Sequence, residues 1–85
     1  MNELYGIAGY NEAKTEILDT IQKLGEATTR EIALITNKRC ENASILCLQY
    51  HRHGLLARRR MGRAYAYSMT KRGIERLDWL RAGEA

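Results

Sequence analysis

Apolar side chains fall in short stripes at helical spacing through the first two thirds of the chain, then switch to alternation. Ile17, Leu18, Ile21 and Leu24 recur at spacings of one, three and three, and Ala13 extends that stripe toward the start. This predicts an amphipathic helix. Asn11 is placed to cap it, Glu12 and Glu16 suit its positive end, and Gly25 stops it. Thr28-Thr29-Arg30-Glu31 has the form of a capping box. Ile32, Ala33 and Ile35 follow as a short second helix, which ends at Thr36-Asn37 because asparagine tolerates a left-handed backbone. A third helix is expected from about Arg39 to His53, with Ala43, Leu46, Cys47 and Tyr50 facing inward and Gly54 ending it.

The alternation begins after Leu55-Leu56, which re-enter the core. Two strand-compatible segments flank a tip at Met61-Gly62, and Tyr65, Tyr67 and Met69 share one face opposite Ala64, Ala66 and Ser68. Thr70 caps a fourth helix striped by Ile74, Leu77 and Leu80, with Trp79 off the stripe. The expected order is helix, helix, helix, hairpin, helix: a mainly α fold with a small β-hairpin, in one domain over residues 11–85. Residues 1–10 carry Leu4, Tyr5, Ile7 and Tyr10 between glycines and read as an N-terminal arm or a frayed end.

Charge changes the picture more than composition does. Residues 1–37 hold three basic and six acidic side chains, whereas residues 38–85 hold eleven basic and four acidic. The second part is thus polarised toward an anionic partner. No apolar run approaches the roughly 20 residues that cross a bilayer, and Met1-Asn2-Glu3-Leu4-Tyr5 does not resemble a secretion signal, so a cytoplasmic or nucleoid-associated location without membrane contact is expected. Cys40 and Cys47 on one helix lie about 10 Å apart along its axis, too far for a mutual disulfide. Reduced thiols are expected, with an intermolecular bridge through Cys40 as the alternative. His51 and His53 complete no metal site. No Ser-His-Asp order, paired inward carboxylates or glycine-rich phosphate loop is present, so neither catalysis nor a cofactor is expected.

The short turn centred on Asn37 has the spacing of a helix-turn-helix unit. Its third helix turns Arg39, Glu41, Asn42, Ser44, Ile45, Leu48, Gln49 and Arg52 outward. That surface suits a major groove. Arg39 is matched to guanine, Asn42 or Gln49 to adenine and Ile45 to a thymine methyl, while Lys38 and the helix start suit phosphate. Ile45 and Leu48 admit three readings: contact with DNA, contact with a partner, or a helix rotated by one residue. Arg58 and Arg60 face one side of the hairpin and Arg59 the other, with Arg63 just past the tip.

These residues together resemble the winged helix-turn-helix fold, and most closely the MarR-type and related ArsR-type and PadR-type regulators. The resemblance runs from Thr28 to Leu80, 53 of the 85 residues. It is carried by Glu31-Ile32-Ala33, by Ala43 ten residues on, by Leu46, Cys47 and Tyr50, by Gly54-Leu55-Leu56, and by Tyr67-Ser68-Met69-Thr70-Lys71-Arg72-Gly73. Asn37-Lys38 departs from the glycine and aliphatic residue usual at that turn. The resemblance implies a three-helix core, a wing and a C-terminal helix. It also implies DNA binding as a homodimer, with residues 39–53 in the major groove and the wing at 56–69 on the backbone or in the minor groove. By analogy it assigns Arg60 and Arg63 to DNA, with Arg58 in support.

The expectation is a small transcriptional regulator that binds double-stranded DNA sequence-specifically through Lys38, Arg39, Asn42, Ser44, Ile45, Gln49, Arg52, Arg58, Arg60 and Arg63. The first helix, the arm and Leu77, Trp79 and Leu80 form the expected dimer seam. Long flanking helices that build an effector pocket in full-size MarR proteins are not seen in the sequence, which argues against a small-molecule effector without excluding one. The alternatives are a winged-helix protein-interaction module and a sequence-neutral DNA-coating protein.

Overall fold

Hydrophobic stripes become helices here because each finds a partner to bury against. The computed structural model describes the backbone of residues 2–84 and the side chains of residues 11–83. Its elements are α1 (Asn2–Leu24), β1 (Glu26–Thr28), α2 (Thr29–Thr36), α3 (Cys40–Arg52), β2 (Leu56–Met61), β3 (Ala64–Met69) and α4 (Lys71–Glu84). Ile17, Leu18 and Ile21 of α1 meet Ile32 and Ala33 of α2, Ala43, Cys47 and Tyr50 of α3, Leu55, Leu56 and Tyr67 around the sheet, and Leu77 and Leu80 of α4. Burial of each of the larger aliphatic side chains stabilises the fold by roughly 1.5–3 kcal/mol. It also pushes the Cys47 thiol pKa up to about 12.

α1 takes in residues 2–10, read from the sequence as an arm, and Asn11 lies inside the helix and does not cap it. The side chains of that stretch are outside the described residues. Leu24, expected on the buried stripe, is half exposed where the helix runs past α2. Gly25 at φ +80° turns the chain into β1. This strand was not foreseen. Three residues are too few to show a period in the sequence, and β1 exists because β3 offers it an edge.

Thr28 closes β1 and starts α2. Its hydroxyl accepts from the Glu31 amide at 3.3 Å while its own amide donates to Glu31 Oε1 at 2.9 Å, the expected capping box. Such a cap contributes about 1 kcal/mol. Asn37 adopts the left-handed conformation at φ 56°, ψ 44°, and α3 begins three residues later.

The sheet has the order β1-β3-β2, antiparallel throughout. Met61 pairs with Ala64, so the turn is Gly62-Arg63, one residue beyond the expected tip. Gly62 has φ +61° and Arg63 does not share the positive value, the pattern of a type II′ turn. Thr70 caps α4 as expected, accepting from the Gly73 amide at 3.0 Å while lying 2.6 Å from the Gly54 carbonyl oxygen. Gly73 allows α4 to touch the segment that joins α3 to β2: a Cβ there would sit 2.0 Å from the Leu55 carbonyl oxygen. The inward positions of α4 are therefore Gly73, Leu77 and Leu80, while Ile74 is partly exposed.

Candidate nucleic-acid interface

α3 presents its polar side because its apolar residues are consumed by the core. Ala43, Cys47 and Tyr50 are fully buried, which fixes the rotation of the helix, and Arg39, Glu41, Asn42, Ser44, Ile45 and Gln49 face solvent. Ile45 is 58% exposed, so a misjudged rotation does not explain it. Leu48, expected outward, is half-buried. Arg39 occupies the N-cap position in an extended conformation, and no side chain caps the helix. The first backbone amides of α3 are thus available to an anion.

Lys38 is less free than expected. It is half-buried, and its ammonium lies 3.9 Å from Glu16 of α1. With Ala13, Asn42, Ile45 and Leu46 it lines a shallow groove of about 340 Å³ beside α3. Arg52 stands ten residues beyond Asn42, about 15 Å along the helix, and lines a different concavity with residues of α1 and α4.

The wing grows directly from the end of α3. The Leu55 amide donates to the Tyr50 carbonyl at 2.9 Å, and the Gly54 amide to the His51 carbonyl at 3.0 Å. His51 sits in the last turn of α3. It is half-buried, and its Nδ1–H donates to the Leu56 carbonyl at 2.9 Å, fastening α3 to the first residue of β2.

Alternation then sorts the three consecutive arginines. Arg58 pairs in register with Tyr67 and Arg60 with Tyr65, so both stand on the tyrosine face. The Arg58 guanidinium lies 4.1 Å from the Tyr65 ring centroid and that of Arg60 5.9 Å, contacts of cation–π type. Arg60 also donates from Nε to the Gly62 carbonyl at 3.1 Å, steadying the turn. Neither has a carboxylate partner among the described residues. Arg63 is exposed at the second turn position.

Arg59 points the other way. It crosses the central strand over Ala66 and grips Glu26 with two hydrogen bonds, Nε to Oε2 at 2.7 Å and Nη2 to Oε1 at 2.8 Å. That clamp holds the Glu26 carboxyl below its ordinary pKa and raises that of Arg59. The sequence showed the alternation but not the partner, since Glu26 lies on the unforeseen strand. A second clamp joins α4 to α1: Arg81 contacts Asp19, which also pairs with Lys23 at 2.9 Å. Those contacts, the Lys23 hydrogen bond foremost, lower the Asp19 pKa.

Two solved structures share this arrangement of helices and sheet. The YusO protein from Bacillus subtilis superposes with a TM-score of 0.79 at 22% identity, over 84% of this chain and 52% of its own. A MarR family protein from Bacillus stearothermophilus superposes with a TM-score of 0.74 at 17% identity, over 96% of this chain and 69% of its own. The fold is a MarR-like winged helix-turn-helix. The chain spans about half the length of the first of these neighbours. No protein-family profile matches it, and no curated protein does.

In this winged helix, α2 and α3 form the helix-turn-helix and β2–β3 the wing, as expected from the sequence. No helix is long and apolar enough to cross a membrane among the described residues. Leu77 and Leu80, expected in a dimer seam, are instead spent on the chain's own core. Trp79 is the exposed aromatic residue of α4, with Arg76 5.3 Å from its ring.

Proposed function

We propose that this winged-helix protein binds double-stranded DNA sequence-specifically, as a transcriptional regulator without catalytic activity. The carrying observation is the pairing of an uncapped helix start, displaying Arg39, Asn42, Ser44, Ile45 and Gln49, with a wing whose Arg58 and Arg60 have no carboxylate partner among the described residues. In this reading Asn42 and Gln49 read bases, Ile45 touches a thymine methyl, and Lys38, Arg58, Arg60 and Arg63 engage the backbone or minor groove. A homodimer would set two copies of α3 on half-sites about one helical turn apart, and Trp79 and Ile74 are exposed for such a contact.

Selection of duplexes from a random pool tests this reading. A preferred sequence is expected, blurred by Asn42→Ala or Gln49→Ala. Uniform binding would instead indicate a DNA-coating protein. A second reading has one specific support: Leu34 and Ile35 on α2 are 82% and 56% exposed. Absence of duplex binding would favour a protein-interaction module using that surface.

A further inference from the structure

We propose that the concavity between α1, the end of α3 and the start of α4 binds a multiply charged oxyanion, the phosphate group of a soluble small molecule. It encloses about 370 Å³ and is lined by Lys14, Arg52, His53, Leu55, Arg72 and Arg76. Three separate elements thus place cationic side chains along one hollow, and no carboxylate lines it among the described residues. Arg52, Arg72 and Arg76 form no ion pair among the described residues.

Left empty, this arrangement is unfavourable. Arg72 and Arg76 are four apart on one helix, where like charges repel. Arg72 sits in the first turn of α4, which has no acidic residue, so it opposes the positive end of the helix dipole. A bound anion relieves both. A monocarboxylate would answer only one of the charges. A phosphate ester carries about −1.5 to −2 at neutral pH and offers three acceptor oxygens to forked guanidinium groups. Among the described residues Leu55 is the one apolar residue of the lining, so an apolar ligand has little to bury against them. The site is distinct from the proposed base-reading surface and needs no DNA to be tested.

Titration of the whole chain with pyrophosphate, at ionic strength held constant with chloride, tests the proposal. Trp79 fluorescence reports the site, since its ring lies 5.3 Å from the Arg76 guanidinium and it is the chain's one tryptophan. Saturable binding is expected, at least tenfold weaker in the Arg72→Gln/Arg76→Gln double variant and weakened in Arg52→Gln. Lys71→Gln, a neighbouring charge outside the lining, is expected to bind within twofold of the parent. Thermal melts by circular dichroism confirm that each variant is folded. A response no different from chloride overturns the proposal, as does an equal loss in Lys71→Gln. If the double variant weakens duplex binding while pyrophosphate never saturates, the phosphate held is the duplex's own and the soluble ligand is refuted. Loss of the DNA reading alone would leave the pyrophosphate isotherm unchanged.

Discussion

Arg58 and Arg59 are chemically identical neighbours, yet the wing's two faces give them opposite work. On one face Arg58 rests on Tyr65 and pairs with no acid among the described residues; on the other Arg59 is tied by two bonds to Glu26. Strand alternation separates them, and the partner strand decides what each can do. The lesson is that a run of arginines is not a measure of available charge. Its net contribution to a polyanion surface is set by which of its members lack an internal acid.

The comparison breaks altogether if the root of the wing is lost. Gly73→Ala places a methyl group against the Leu55 carbonyl, and destabilisation of about 3 kcal/mol or more is expected by chemical denaturation, disturbing both faces together. The next largest effect belongs to the tyrosine face. Arg58→Gln with Arg60→Gln is expected to lower duplex affinity at least tenfold and to flatten the plot of log affinity against log salt by about 1.8, at roughly 0.9 per phosphate contact. Arg59→Gln should leave that slope unchanged; an equal change would show that the two faces are not distinct.

Smaller again is the role of the ring itself. Tyr65→Leu is expected to weaken duplex binding by about two- to fivefold without altering the salt slope, the size of an exposed cation–π contact, whereas Tyr65→Phe should behave as the parent. The subtlest prediction concerns acid. The clamped Glu26 and Asp19 carboxyls have depressed pKa values, so they favour the folded state above the ordinary carboxylate range, and this advantage disappears as pH falls through their folded values. Glu26→Gln should therefore lower the thermal midpoint slightly at neutral pH and make the acid limb of the stability curve shallower. An unchanged acid limb would mean that Arg59 gains nothing from its partner.

Much of this was legible in the chain because the signals were local. The Thr28 capping box, the left-handed Asn37, the buried stripe of α3 and the Thr70 cap all rest on residues three or four apart, and all stand in the structure. What stayed hidden depended on distant neighbours. β1 exists through β3, forty residues away in register between Ala27 and Tyr67, and with it comes the Arg59 clamp. Gly73 carries no periodic signal; its need is visible only when α4 is laid against Leu55. The exposure of the candidate DNA-facing residues was readable for most of α3, but not the half-burial of Lys38 or the placement of Arg52, both of which depend on α1.

The two cysteines of α3 differ as sharply as the two arginines. Cys47 is sealed in the core with its thiol held protonated to about pH 12, while Cys40 is exposed at the first turn of the helix. A maleimide dye added to the native protein at neutral pH will therefore couple at one position. The molecule comes with a built-in attachment point beside its proposed base-reading surface, ready for fluorescence or spin labelling without any engineered substitution.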